Sequence, residues 1–70
     1  MSLESIQKRL RETIKQSTYS QKEIAKAVNV SPQTISKYMK NNIFPALDTL
    51  AKLCKFLEVS SDYILGLSED

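Results

Sequence analysis

Histidine and tryptophan are absent from these 70 residues, glycine and cysteine occur once each, and proline twice. With no histidine to help hold zinc and only Cys54 as a thiol, there is neither a zinc-ligand set nor an intrachain disulfide to staple the chain. A lone thiol in an apolar setting suits a reducing compartment, and Cys54 reads as a small buried side chain on a helix. The missing histidine also removes the commonest acid–base group. No glycine-rich phosphate loop, cysteine pair or carboxylate pair in an apolar setting stands in for it. The expectation is a protein that is not an enzyme and carries no cofactor or metal. Apolar runs never approach the ~20 residues of a membrane span, and the amino end lacks a signal-peptide hydrophobic stretch. No membrane association is expected, and the location is read as cytoplasmic.

What the sequence does hold is helix-forming residues, and with so little glycine and proline the fold class is all-α. Seventy residues make one domain, 1–70, and a chain of that size buries only about 60% of its unfolded surface. Net charge is +2, but its distribution is uneven. Residues 1–45 hold eight basic and three acidic side chains, for +5; residues 46–70 hold two basic and five acidic, for −3. Between Ile24 and Leu47 there is no carboxylate. A polyanion is attracted to the first half and repelled by the second.

Five helical segments follow from spacing and caps. Ile6, Leu10 and Ile14 form the apolar stripe of a first helix over roughly Leu3 to Gln16. Ser20 with Glu23 makes a capping box that opens a second helix, whose inner face is Ile24, Ala25 and Val28. Ser31-Pro32 is itself a helix start, so the second helix must end at Asn29, a residue tolerant of the left-handed conformation. A third helix runs from Pro32 to about Lys40 with Ile35, Tyr38 and Met39 inward. Pro45 forces Ile43-Phe44-Pro45 into an extended loop. The fourth helix, about Leu47 to Leu57, carries Leu47, Leu50, Leu53, Cys54 and Leu57 and reads as the central core helix. Ser60 or Ser61 caps a short fifth helix through Tyr63, Ile64 and Leu65, ended by Gly66.

Two helices across so tight a turn, over about residues 20–40, have the form of a helix-turn-helix, whose second helix enters the major groove. Ala25 permits close helix crossing, and the outward face of the third helix is Pro32, Gln33, Thr34, Ser36, Lys37 and Lys40. The stretch Ser20-Gln21-Lys22-Glu23-Ile24-Ala25, with Val28-Asn29-Val30-Ser31-Pro32-Gln33-Thr34-Ile35-Ser36-Lys37-Tyr38, resembles the lambda-repressor-like family of Cro and repressor type, also called the xenobiotic-response-element family. Pro45, the leucine-rich fourth helix and Val59-Ser60-Ser61-Asp62-Tyr63-Ile64-Leu65-Gly66 match its later segments at the right distances. The resemblance spans nearly the whole chain and implies a compact five-helix domain. Asn29 and Asn41 stand where that family often has glycine, and Met39 stands where it often has glutamate, removing a negative charge near DNA.

The resemblance implies site residues. Gln21 matches a glutamine that bonds a DNA phosphate, aided by the helix amino terminus. Gln33 matches a base-reading position, where an amide can pair bidentately with adenine. Lys37 can donate to guanine or to phosphate, and Thr34 and Ser36 can reach a phosphate, a base or a thymine methyl. Lys40, Asn41 and Asn42 are expected on the phosphate backbone. The implied function is sequence-specific binding of double-stranded DNA by a transcriptional regulator, a repressor, as a homodimer on a palindromic operator. Tyr63, Ile64, Leu65 and Leu67 either form the symmetric contact or close the core against the first helix. The alternative class is an antitoxin or other protein-interaction module that regulates DNA secondarily.

Overall fold

Local capping chemistry fixes most of the helix ends. The computed structural model describes residues 2–40 and 43–67, and the elements are five helices: α1 (Leu3–Gln16), α2 (Gln21–Val28), α3 (Pro32–Lys40), α4 (Leu47–Leu57) and α5 (Ser61–Leu65). Ser2 caps α1 by accepting from the Ser5 amide, and Ser60, rather than Ser61, caps α5 by accepting from Asp62. Three helices end in the same way. At Asn29, Glu58 and Gly66 the backbone turns left-handed, with φ of 62°, 57° and 80°. In each case the next amide reaches back five residues: Val30 to the Ala25 carbonyl at 2.9 Å, Val59 to Cys54 at 3.0 Å, and Leu67 to Asp62 at 2.7 Å. This is the Schellman arrangement, which satisfies carbonyls that a helix end leaves unpaired.

α2 lies against both α3 and α4, while α1 packs on α3 and α5, and α4 meets α5. The core between them is Leu10, Ile14, Ile24, Ala25, Val28, Ile35, Tyr38, Leu53, Cys54 and Ile64. Cys54 is thus an interior side chain, and burial pushes its thiol pKa up. Tyr38 is buried too, and its phenol pKa is raised, first by desolvation and then by the charge of Asp48. At the far end Tyr19 stacks obliquely on Phe56, ring centres 4.4 Å apart, tying the α1–α2 connection to α4. The Arg9 guanidinium lies over Gly66, where an added Cβ would meet its Nη1 at 2.8 Å.

Three expectations from the sequence need correction. The buried stripe of α1 is Gln7, Leu10 and Ile14, with Ile6 only half-buried at its edge. At about 100° per residue, Gln7 lies about 20° beyond Ile14 while Ile6 lies about 40° to the other side of Leu10, so the stripe is centred toward Gln7 and Ile6 falls at its edge. The buried Gln7 Nε2 has no hydrogen-bond partner among the described residues, a cost that only its aliphatic stem offsets. Leu47 is 84% exposed, because the first turn of α4 projects beyond the core. The central helix is α2 rather than α4: of the α4 residues only Leu53 and Cys54 are fully interior. As for the carboxyl end, Ile64 is a core residue and α5 packs on α1, whereas Leu67 is 61% exposed.

Candidate nucleic-acid interface

The α2–turn–α3 unit is built from reciprocal bonds at its two helix starts. The Ser20 hydroxyl accepts from the Glu23 amide at 3.1 Å, and the Glu23 Oε1 accepts from the Ser20 amide at 2.9 Å. Hydrogen bonding of the carboxyl, first by the Ser20 backbone amide and then by the Ser20 side chain, holds Glu23 below its ordinary pKa. The only acidic group of α2 is therefore folded onto its own helix end. After the eight residues of α2 the left-handed Asn29 closes the helix, and Val30 folds half-buried onto the core. Ser31 restarts the chain by accepting from the Thr34 amide at 3.2 Å, with Pro32 as the first helical residue.

The crossing of α2 and α3 is set by Ala25 and Ile35, both almost fully buried. Ala25 puts only a methyl group on the buried face of α2, the helix that packs against α3 and α4. Replacing it by Leu is expected to force the helices apart and cost about 1–3 kcal/mol of stability, read as a shift of the urea midpoint. An unchanged midpoint would show that the crossing has room to spare.

With Ile35 and Tyr38 turned inward, Gln33, Lys37 and Lys40 lie exposed at the i, i+4, i+7 spacing of one helical row. Pro32 is exposed beside them, and Ser36 is half-buried at the edge. α3 has no acidic residue in its first turn and two lysines in its last. Thr34 differs from its neighbours. Its hydroxyl lies 2.9 Å from that of Ser31, within the cap of the helix, and a hydroxyl with one donor and two acceptor sites keeps capacity for a second partner. Asn41 and Asn42 lie outside the described residues.

Gln21, the first residue of α2, is exposed at the helix amino end, and its Nε2 donates to the Met39 Sδ at 3.1 Å across to α3. The sequence gives no sign of this pair, which is 18 positions apart and joins an amide to a residue read as purely apolar. Lys22 and Lys26 are exposed on the same helix. Among the described residues no group of three metal-capable side chains occurs, and no helix is long and apolar enough to cross a membrane.

A short helix capped by a serine, a left-handed turn, and a second helix with an acid-free exposed row define a helix-turn-helix DNA-binding domain. Comparison with known proteins agrees. The helix-turn-helix family model matches residues 8–64, and the chain belongs to this family, in its Cro and lambda-repressor-like branch. It is 40% identical over 65 residues to the HTH-type transcriptional regulator ImmR of Bacillus subtilis strain 168, covering 93% of this chain and 51% of the relative. An uncharacterized HTH-type transcriptional regulator of the same strain, YobD, is 32% identical over 62 residues, 89% of this chain and 55% of the relative. The chain therefore spans about half the length of the curated relatives it matches. No solved structure matches it significantly. DNA binding in transcription regulation is the activity this kinship supports.

Proposed function

We propose that residues 1–70 form the operator-reading domain of a transcriptional repressor that binds palindromic double-stranded DNA as a homodimer, with α3 in the major groove. The observation that carries this reading is the exposed row Gln33, Lys37 and Lys40 on a helix whose flanking chain, Ile24 to Leu47, holds no carboxylate. A side-chain amide at the start of α3 can accept from the amino group of adenine and donate to its ring nitrogen. Gln33 is assigned that role. Lys37, one turn on, donates to guanine or phosphate, and Ser36 flanks them. Thr34, whose hydroxyl also meets that of Ser31, reaches a phosphate, a base or a thymine methyl.

Gln21, Lys40, Asn41 and Asn42 fix the register on phosphate, which positions the helix without reading sequence. Lys40 supplies a full charge, so Lys40→Ala is expected to lower the slope of log affinity against log salt by about one unit. A slope equal to that of the wild type would take Lys40 off the phosphate list. For dimerisation, Leu67, Leu3 and Leu47 are exposed. The last two border an apolar groove lined also by Ile6, Phe44 and Leu65. Exposed apolar area of this kind is where self-association is sought.

The reading is tested by selecting bound oligonucleotides from a random pool. It expects two inverted half-sites with centres about one helical turn apart. A recovered pool with no shared sequence would overturn specific recognition, and a single unrepeated half-site would overturn the dimer.

A further inference from the structure

We infer that Met39 is a positioning residue that holds the Gln21 amide ready for its phosphate, a conclusion that rests on the role proposed for Gln21. Every other side-chain hydrogen bond among the described residues joins positions four or fewer apart; the bond from Gln21 Nε2 to Met39 Sδ alone joins two helices. It spans the first residue of α2 and the last turn of α3, the two ends that a DNA backbone running past the unit would meet.

The chemistry of the pair suits that place. A glutamine amide has two N–H donors, and a thioether is a weak acceptor with nothing to donate. Sulfur therefore occupies one N–H and leaves the other, with the amide still exposed, for a phosphate oxygen. Met39 is half-buried and packed on the core, so the acceptor is itself held in place. A carboxylate at position 39 would grip the amide more strongly but set a negative charge beside the phosphate. Leucine would fill the space and accept nothing. Methionine holds without repelling. A long, exposed side chain loses rotamer freedom when it binds, and one already held loses less, which appears as affinity.

The test is a double-mutant cycle on the operator recovered from the random pool, using the whole chain. Met39→Leu conserves volume and is expected to leave the unfolding midpoint close to that of the wild type. It should weaken operator binding about threefold to tenfold, the scale of one side chain losing its preorganisation. In a Gln21→Ala background the same Met39→Leu change should cost nothing further. Met39→Gln, which restores an acceptor, should bind within about twofold of wild type on the same scale. Replacing the phosphate opposite Gln21 by a neutral methylphosphonate should erase the Met39→Leu effect as well. An equal penalty with and without Gln21 would make Met39 a packing residue only and overturn the inference. If Gln21→Ala alone left affinity unchanged, the phosphate role would fall first and the inference with it, an outcome visible in that single arm.

Discussion

Gln33→Ala is expected to cost about 1–3 kcal/mol of binding on the matched operator and to relax preference at one base position. The residue is exposed on α3, and among the described residues its side chain makes no hydrogen bond, which leaves the amide open to an external partner. Truncation leaves the adenine donor and acceptor facing a gap, and the loss is confined to the base it reads. Substitution at so exposed a helix position should move stability by no more than about 0.5 kcal/mol either way. The measurement is affinity for a set of operators varied one base pair at a time. Loss spread evenly over all sequences would mean that Gln33 touches backbone, and the assignment of the base-reading residue would be wrong.

Ile35→Ala, two residues along the same helix, should fail in the opposite manner. Ile35 has no exposed surface and lies where α3 packs on α2 and α1. Removing three carbons from such a position costs about 2–5 kcal/mol, depending on how far the surroundings collapse into the space. A core of this size rarely supplies more than about 3–5 kcal/mol in total. The variant is therefore expected to lose most or all of its cooperative unfolding transition, followed by circular dichroism, and to bind no operator at any salt concentration. A loss under about 1 kcal/mol would show that the α2–α3 contact repacks and is not what fixes the reading helix. Measured side by side, the pair separates the two faces of α3, one carrying recognition and the other the fold.

Tyr38 adds a check at high pH. Its neutral phenol is favoured in the folded state, so the pKa there lies above the value in the unfolded chain. The contribution to stability is complete below about pH 10, the ordinary tyrosine value, and declines as pH rises through the folded-state pKa. Alkaline unfolding that Tyr38→Phe delays is the expected sign; an unchanged alkaline limit would place the phenol in contact with solvent.

Most helix boundaries were legible because they are written in adjacent residues. Ser20 and Glu23 cap α2, Ser31-Pro32 starts α3, Asn29 and Gly66 adopt left-handed turns, and Pro45 keeps the preceding loop extended. The turn at Glu58 had no such sign. Glutamate has no preference for positive φ, and the Val59 amide on the Cys54 carbonyl, with Val59 packed on the core, holds the residue there. The exposed row of α3 was readable from periodicity, since Ile35 and Tyr38 fix which side is inward.

Sequence by itself determined most of the helix boundaries and which face of α3 is free of carboxylates, because capping and helical period act within a few residues. Tertiary structure alone decided what lies at the edges of those faces: that Gln7 is interior, that Leu47 is not, and that Gln21 meets Met39. Such outcomes depend on how far each helix extends past its neighbour and on contacts between residues distant in the chain. No local pattern carries that information.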